Sequence, residues 1–297
     1  MPDICNYENS PWRTAFWHGR EYEDRAERIA IAHMLPPRGA RLCEIGAGFG
    51  RLADFYRGYD RVILLDYSRS MLRDARARLQ NDPRFLFVAA DLYNLPLADS
   101  ALDTAVTVRV LHHVADIPRA FAEISRVVRP RGTYLTEFAN KRNIKALLRY
   151  LLNRSLPNPF TPTPYEFVKL NFDFLPRYIK NELGKNEFVI LDQRAVSTFR
   201  IAALKRIVPA RWLAALDGIL QSPISNLSFS PSIFLRAEST KPGAPGLNPA
   251  LWRCPACGSN DIAESTDALM CRACSRAYPI VDGIIEFKNR PGETENG

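Results

Sequence analysis

Apolar residues follow two alternating patterns along the first half of the chain, and these patterns predict strands and helices in turn. Short apolar runs bounded by turn residues are typical of buried strands. Between them, apolar side chains recur at three- and four-residue spacing, as at Ala26, Ile29, Ala30 and Met34, which is typical of amphipathic helices. The predicted strands are 41–45, 62–66, 85–88, 104–108 and 133–138, and the predicted helices are 20–35, 52–57, 71–80 and 118–128. This alternation predicts an α/β fold with a parallel sheet, helices on both faces and ligands at the carboxyl ends of the strands.

A glycine-rich turn follows the first predicted strand, in the stretch Glu44-Ile-Gly-Ala-Gly-Phe-Gly50. Glycines at alternate positions let the backbone turn sharply and approach a ligand closely. A dinucleotide site requires the third glycine one position later, where this chain has Arg51. The acid Glu44 would repel a phosphate and suits a ligand that carries an ammonium and a sulfonium.

Two further carboxylates stand at predicted strand ends. Asp66 ends the second strand, where it can accept both hydroxyls of a ribose, and Asp91 follows the third, where it can accept an adenine amino group. Together with the glycine turn, these acids indicate an adenosine-containing ligand.

These motifs resemble those of class I S-adenosylmethionine-dependent methyltransferases over roughly residues 40–140. The resemblance extends to Arg109-Val-Leu-His-His113 and Arg126-Val-Val-Arg-Pro130, and it is disturbed at Arg131, where relatives usually carry a turn glycine. It implies a Rossmann-like, mostly parallel seven-stranded sheet that ends in two strands, Glu187–Val196 and Leu227–Arg236, with helical residues around 212–216 between them. It also implies S-adenosylmethionine as the cofactor. The residues expected to bind the cofactor are Glu44, Gly46, Ala47, Gly48, Gly50, Asp66, Tyr67, Met71, Asp91, Leu92 and Arg109.

No catalytic residue can be assigned from the sequence. His112 and His113 follow the fourth strand, and an imidazole at the edge of the site could act as a general base. The alternative is that both side chains only pack beside the methionine end of the cofactor, because many such sites merely position the acceptor. Trp12, Phe16 and Trp17 could cover a pocket, but we expect them to fill the core.

The second half of the chain contains a strongly basic segment. The net charge is +8, and residues 141–236 hold fifteen Lys and Arg against six Asp and Glu. Lys141, Lys145 and Arg149 recur at four-residue spacing beside the apolar residues of one predicted helix, and six aromatic residues lie between Phe160 and Tyr178. This composition is compatible with a solvated helical cap. It also fits a substrate-binding lid that contacts an anionic membrane surface, an amphiphilic acceptor or RNA.

Four of the six cysteines form two Cys-x-x-Cys pairs, Cys254 with Cys257 and Cys271 with Cys274. Two such pairs predict one tetrahedral, structural zinc site, with disulfides as the less favoured alternative. Residues 251–288 resemble the small zinc-ribbon proteins that activate methyltransferases as a separate subunit, often for tRNA, rRNA or translation factors. Because residues 251–297 carry five Lys and Arg against seven Asp and Glu, we do not expect the ribbon to bind nucleic acid by itself.

The leading hypothesis is methyl transfer to a small, anionic or lipid-like acceptor, as in quinone- and lipid-modifying methyltransferases. The alternatives are an RNA or translation-protein methyltransferase with the ribbon as an activator in cis, and a non-catalytic S-adenosylmethionine-binding protein. With no apolar run long enough for a transmembrane segment and no signal-peptide pattern, the sequence predicts a cytoplasmic protein, peripheral at the membrane if the lid binds lipid. The predicted organisation is a methyltransferase domain at 1–237 with lid inserts at 141–221, a linker at 238–250, a zinc ribbon at 251–288 and a disordered tail at 289–297.

Overall fold

The computed structural model describes residues 2–10, 17–79, 82–152 and 158–288. The predicted tail at 289–297 lies outside these residues, as do Trp12 and Phe16. The strands are β1 Gly39–Ile45, β2 Tyr59–Asp66, β3 Phe85–Ala89, β4 Leu102–Thr107, β5 Val128–Ala139, β6 Tyr165–Val168, β7 Asn171–Asp173, β8 Phe188–Val196, β9 Ser232–Ser239, β10 Ile262–Glu264, β11 Ala268–Cys271, β12 Ala277–Val281 and β13 Ile284–Glu286. The α-helices are α1 Glu21–Met34, α2 Arg69–Leu79, α3 Ile117–Val127, α4 Ile144–Leu151, α5 Pro176–Lys185, α6 Ala202–Ile207 and α7 Ala210–Leu220.

The predicted α/β architecture is confirmed in its central part. Strands β3, β2, β1, β4 and β5 lie side by side and run parallel, and β9 and β8 follow at the antiparallel edge. Parallel pairing aligns Glu44 with Leu64 and Asp66 with Ala89, so the functional ends of the first three strands meet at one edge. The geometry of a parallel sheet therefore gathers the motifs that are separated in sequence.

Successive residues of the central strands contribute to two cores, one on each face of the sheet. Ile63 and Leu65 pack into one core, whereas Val62 and Leu64 pack into the other. Side chains of a strand point alternately to opposite faces, so a strand covered on both sides must be apolar throughout. This explains the continuous apolar run of β2.

The sheet differs from the sequence prediction in its size, because eleven described strands form one sheet rather than seven. The four strands of the C-terminal ribbon join it where β13 pairs in parallel with β3, with Glu286 beside Ala89. Phe287 N–H then donates to Ala89 O at 2.8 Å. The rings of Trp252, Tyr278 and Phe287 are buried in the same core as the methyltransferase-like sheet. The ribbon and the larger unit thus share a continuous sheet and a continuous core.

The fifth strand begins at Val128 rather than at residue 133, and two further predicted segments are wrong. Instead of a helix over 52–57, the structure has one 3-10 turn at Ala53–Phe55, where Tyr56 N–H bonds back to Ala53 O at 3.1 Å. The last strand of the larger unit begins at Ser232 rather than Leu227, because residues 225–227 form a 3-10 turn and Ser228 adopts a left-handed conformation with φ of 52°. None of these departures changes the order of the sheet.

The 141–221 segment contains a β-hairpin, β6–β7, which the sequence did not predict. The expected apolar helix is present as α4, and it begins at Ile144 with Asn143 as its cap. No helix in the described parts of the chain is long and apolar enough to cross a membrane.

Candidate active site

A cavity opens where β1, β2, β3 and β4 end, and most of the predicted cofactor residues line it. Gly46 and Gly48 both have positive φ, 75° and 55°, and a Cβ on Gly46 would lie 2.3 Å from Val110 Cγ2. The turn therefore requires glycine at this position both for its conformation and for its packing. The predicted residues that line the cavity are Glu44, Gly46, Ala47, Gly48, Asp66, Tyr67, Met71, Leu92 and Arg109.

Two predicted residues do not line the cavity. A Cβ on Gly50 would lie 3.2–3.3 Å from Leu64, Ala75 and Leu79, so this glycine allows close packing of α2 against the sheet. The Asp91 carboxylate accepts a hydrogen bond from Tyr93 N–H at 2.8 Å and caps the 3-10 turn at 92–94. Its neighbours Ala90 and Leu92 face the cavity instead.

The buried carboxylate of Glu44 has an unfilled hydrogen-bonding position. Among the described residues, its Oε2 has no hydrogen-bond partner. Burial raises the pKa of Glu44 to about 8, although the adjacent Tyr56 hydroxyl and, to a smaller extent, the Arg51 charge oppose this increase. Because an unpaired buried carboxylate is costly, this position favours a cationic ligand group, such as the ammonium of S-adenosylmethionine.

Asp66 is held in place by the loops on either side of it. Its Oδ2 accepts from Gly48 N–H at 2.7 Å and its Oδ1 from Ser68 N–H at 2.8 Å. Burial raises the pKa of this carboxyl, and the two backbone N–H groups oppose the increase. Each oxygen keeps a further lone pair, so the carboxylate can still accept two hydroxyls of a ribose. The arrangement therefore fits the predicted cofactor.

The N-terminal segment 2–10 covers the cavity, a role that was not predicted from its sequence. Asp3, Ile4, Cys5 and Tyr7 contribute to its wall. The carboxylate of Glu8 accepts from Arg69 N–H and Ser70 N–H, at 2.8 and 2.9 Å, and so caps the first turn of α2. These contacts join positions 61 and 62 residues apart, which no local pattern reveals.

Trp17 lines the cavity, contrary to the expectation that it only fills the core. The guanidinium carbons of Arg51 and Arg109 lie 4.2 and 5.1 Å from its ring centroid. Both arginines also pair with the fully buried carboxylate of Glu27. Both cations thus contact the indole ring and restrict its rotation in the wall of the cavity.

His112 and His113 both line the cavity, with ring centroids 3.9 Å apart. Burial lowers the pKa of His113, and the carbonyl of Leu170 opposes this. Burial, His113 and Arg109 together lower the pKa of His112 well below its usual value. Both imidazoles are therefore neutral near pH 7.

Comparisons with known proteins indicate the family to which the chain belongs. Residues 43–136 match the model of a family described as a methyltransferase domain. Over 218 residues the chain is 30% identical to the ubiquinone/menaquinone biosynthesis C-methyltransferase UbiE of Dinoroseobacter shibae. The match covers 69% of this chain and 76% of that protein. The chain belongs to the S-adenosylmethionine-dependent methyltransferases. Other curated relatives match over shorter stretches, and the chain spans only 26–38% of the length of these proteins.

Solved structures show the same methyltransferase fold. An S-adenosylmethionine-dependent methyltransferase from Mesorhizobium loti has a TM-score of 0.54 and 21% identity, and the match covers 72% of this chain and 97% of that one. A chain from the complex between the Haloferax volcanii Trm112 methyltransferase activator and its methyltransferase has a TM-score of 0.53 and 17% identity, with 77% and 96% covered. At these identities the matches establish the fold alone.

One charge prediction for the 141–221 segment of this methyltransferase is wrong. Lys141 lies outside α4 and is only 4% exposed; its Nζ donates to Thr161 Oγ1 and Thr163 O at 2.7 and 2.8 Å. The predicted stripe is therefore reduced to Lys145 and Arg149, which are exposed and have no ion pair among the described residues. Lys141 instead ties the segment together, because its buried ammonium needs these oxygen partners.

The four cysteines of the ribbon form a compact cluster. Their Sγ atoms all lie within 4.8 Å of one another, with 3.7 Å between Cys254 and Cys274 and 3.5 Å between Cys257 and Cys271. A tetrahedral ion with bonds of about 2.3 Å places its sulfurs about 3.8 Å apart, so the cluster fits a metal such as zinc. Tyr278 Oη lies 3.0 Å from Cys254 Sγ and can donate to the thiolate, a contact that would orient a ligand sulfur.

Proposed function

We propose that this methyltransferase transfers a methyl group from S-adenosylmethionine to a small, anionic or lipid-like acceptor. The observation that carries the proposal is the cavity at the strand ends, which is lined both by Glu44, whose buried Oε2 has no hydrogen-bond partner among the described residues, and by Asp66, whose carboxylate can accept two hydroxyls of a ribose. S-adenosylmethionine supplies an electrophilic methyl group on its sulfonium. Family membership supports the same assignment.

Each part of the cavity has a distinct proposed role toward the cofactor. Glu44 and the glycine turn hold the amino-acid end, and Asp66 holds the ribose. Leu92 packs against the adenine, with Asp91 at the rim beside it. The remaining proposed contacts come from Tyr67, Met71 and Arg109, which line the cavity. The N-terminal segment and Trp17 exclude water and orient the acceptor, which favours transfer through proximity.

Several relatives support a small-molecule acceptor. The chain is 33% identical over 118 residues to a demethylmenaquinone methyltransferase of Roseiflexus and 34% identical over 107 residues to a malonyl-[acyl-carrier protein] O-methyltransferase of Pectobacterium atrosepticum. The acceptors in those names are a quinone and an acyl group, which are apolar or anionic molecules. We infer an acceptor of that class for this chain.

The exposed face of α4 supports a membrane location for the acceptor. Ile144, Leu148 and Leu151 are 52%, 54% and 75% exposed, and Lys145 and Arg149 lie beside them. Not one residue of this helix is buried. An exposed apolar strip flanked by cations fits the interface of an anionic bilayer, where apolar side chains enter the lipid and cations contact headgroups. We therefore propose a cytoplasmic enzyme that is peripheral at the membrane.

The ribbon is proposed to bind one structural zinc ion through Cys254, Cys257, Cys271 and Cys274. Four thiolates leave no open position for catalysis, so the metal would contribute folding energy. The ribbon then stabilises the catalytic unit through β13 and its neighbour β3. The pairing of a methyltransferase with a separate activator in the Haloferax volcanii complex supports the idea that here the support is supplied in cis.

The second candidate is methylation of RNA or a translation protein, favoured by the ribbon and by the surplus of cations in residues 141–236. The two proposed functions predict methylation of different purified acceptors. Demethylmenaquinol in phosphatidylglycerol vesicles, malonyl-acyl-carrier protein and total tRNA would each be incubated with the enzyme and methyl-labelled S-adenosylmethionine. We expect label in one of the first two. Label in tRNA alone would replace the small-molecule proposal with the second candidate.

A further inference from the structure

Three separate segments meet in a hydrogen-bonded series at the wall of the cofactor cavity. Tyr7 Oη, from the N-terminal segment, lies 2.7 Å from His113 Nε2. His113 Nδ1 lies 2.8 Å from the carbonyl oxygen of Leu170, in the turn of the β6–β7 hairpin. The Tyr7 and His113 rings meet edge to face at 5.4 Å, and both residues line the cavity.

The partners of His113 determine which of its nitrogens carries the proton. A carbonyl oxygen can only accept, so in the neutral imidazole Nδ1 must be the protonated nitrogen that donates to Leu170 O. Nε2 then has a lone pair and accepts from the Tyr7 hydroxyl. The Tyr7 hydroxyl also has a hydrogen-bonding contact with the Cys5 thiol on the same segment. A phenol oxygen has two lone pairs, so Tyr7 Oη can accept from Cys5 S–H and from one further group in the cavity where the acceptor and the cofactor must meet.

We propose that Tyr7 and His113 together take up the proton that the acceptor loses when it is methylated. This inference rests on the proposed methyl transfer. As the methyl carbon bonds to the acceptor atom X, the carbon–sulfur bond breaks and its electron pair stays on sulfur. The proton of X–H passes to Tyr7 Oη, and the Tyr7 proton passes to His113 Nε2. The products are X–CH₃, a neutral thioether, a restored Tyr7 phenol and a His113 imidazolium.

Charge in the cavity favours this arrangement. Before transfer the cavity contains a sulfonium and a neutral imidazole, and afterwards it contains a neutral thioether and an imidazolium. The positive charge therefore moves within the cavity and no new charge is created there, which limits the cost of burial. The other titratable groups around the pair are Cys5 and Asp3 on the N-terminal segment, Glu44 and Asp66 at the strand ends, and Arg109 and His112 after β4.

The hairpin gains a specific role in this scheme. Leu170 adopts a left-handed conformation, with φ of 54°, and its N–H donates to Glu166 Oε1 at 2.7 Å. This turn presents the carbonyl that fixes the tautomer of His113. The inserted hairpin thus positions the proton acceptor, in addition to covering the site.

The relay also narrows the class of acceptor. It serves molecules that carry a proton on the reacting atom or on a conjugated hydroxyl near pH 7, such as hydroquinols, phenols and primary amines. It has no function toward a thioether or a tertiary amine, because these acceptors lose no proton.

One test needs no acceptor. In protein labelled with ¹⁵N-histidine and saturated with S-adenosylhomocysteine, NMR should show His113 protonated at Nδ1 and unprotonated at Nε2 near pH 7. Tyr7→Phe should shift the Nε2 resonance by removing its hydrogen-bond donor, whereas Tyr178→Phe should leave it unchanged. A proton on Nε2, or an unchanged Nε2 resonance in Tyr7→Phe, would overturn the relay.

The second test follows the chemistry with 1,4-naphthohydroquinone as the acceptor probe. We expect Tyr7→Phe and His113→Gln each to lower the turnover number by roughly 10²- to 10⁴-fold, as for loss of a general base, with KM and S-adenosylhomocysteine affinity within about threefold. The wild-type rate should rise with pH as His113 loses its proton, a titration that NMR follows, and this dependence should disappear in His113→Gln. Variants that turn over like the wild type would refute the proposal while leaving methyl transfer intact. If wild type does not methylate this probe but methylates demethylmenaquinol, the same comparison on that acceptor decides. Methylation of malonyl-acyl-carrier protein alone would overturn the relay, because its carboxyl is already ionised and loses no proton.

Discussion

The guanidinium Nε of Arg69 lies 3.1 Å from Glu286 Oε1, in the last strand of the ribbon. Arg69 also donates its backbone N–H to Glu8, so a single residue connects the ribbon with the N-terminal segment that covers the cofactor cavity. Next to this contact, Lys288 Nζ lies 5.0 Å from the centroid of the Tyr67 ring, which lines the same cavity. The ribbon is therefore in physical contact with the wall of the cavity proposed to bind the cofactor.

Loss of the ribbon metal should consequently weaken cofactor binding. We expect one zinc ion per chain by elemental analysis, and we expect Cys271→Ser to lose it and to reduce S-adenosylhomocysteine affinity about fivefold or more, a typical coupling between linked sites. Arg272→Ala, at the exposed neighbouring position, should keep both. Absence of metal from wild-type protein prepared without chelators would contradict the tetrathiolate site.

Asp66→Ala should weaken S-adenosylhomocysteine binding at least tenfold. The substitution removes up to two hydrogen bonds to a charged acceptor, each contributing about 1.5–3 kcal/mol. Asp60→Ala, an exposed carboxylate on the same strand, serves as the control and should bind normally. Equal affinities for the two variants in calorimetry would remove Asp66 from the cofactor site.

Glu44 should make cofactor binding depend on pH. Burial raises its pKa to about 8 in the unliganded protein, so the carboxyl is mostly protonated at pH 7 and must ionise to pair with an ammonium. Binding should then release a proton, and affinity should increase as pH rises from 6 to 8. Glu44→Gln removes this contribution, so the difference between the two proteins cancels any titration of the ligand itself. Calorimetry in buffers of different ionisation enthalpy measures the released proton; identical proton release in both proteins would exclude Glu44.

Arg131→Gly should stabilise the protein by about 0.5–1 kcal/mol. Arg131 is exposed and has φ of 58°, a conformation that costs a non-glycine residue energy and that glycine adopts freely. Gly132→Ala should act in the opposite direction, because its Cβ would lie 2.7 Å from Val128 Cγ1. Denaturant unfolding of both variants checks the assignment, and a destabilised Arg131→Gly would show that the arginine side chain contributes more than its backbone strain costs.

Vesicle binding should depend on the α4 face. Lys145→Glu with Arg149→Glu should weaken binding to phosphatidylglycerol vesicles by at least about 30-fold, since each cation near an anionic surface contributes about 1 kcal/mol. Leu148→Gln with Leu151→Gln should also weaken it, by removing apolar side chains from the lipid. Val189→Gln with Leu191→Gln, at apolar positions of the edge strand β8 that are 44% and 52% exposed, should have no effect. Unchanged vesicle binding in the α4 variants, or loss of tRNA binding alone, would contradict the membrane assignment.

The sequence predicted those parts of the molecule that depend on short-range patterns. The glycine turn, Asp66 and the paired cysteines occur in compact motifs whose chemistry can be derived locally, and the strand–helix alternation follows from residue periodicity. The capping of α2 by Glu8, the Tyr7–His113 contact and the pairing of β13 with β3 join residues separated by 61 to about 200 positions. Lys141 shows the same limit. Its four-residue spacing from Lys145 indicated an exposed helix face, but the helix begins only after its cap Asn143. The Lys141 ammonium is instead buried and donates to a threonine oxygen.

The most direct test of the central claim is the fate of a labelled methyl group in a fractionated cell extract. Purified protein and methyl-labelled S-adenosylmethionine would be added, and label would be measured in the organic-solvent, small aqueous metabolite, RNA and protein fractions, with Asp66→Ala as the matched control. We expect label in the organic-solvent or small-metabolite fraction with wild-type protein and at least tenfold less with the variant. Label confined to RNA or protein, or no label above the Asp66→Ala control in any fraction, would contradict it.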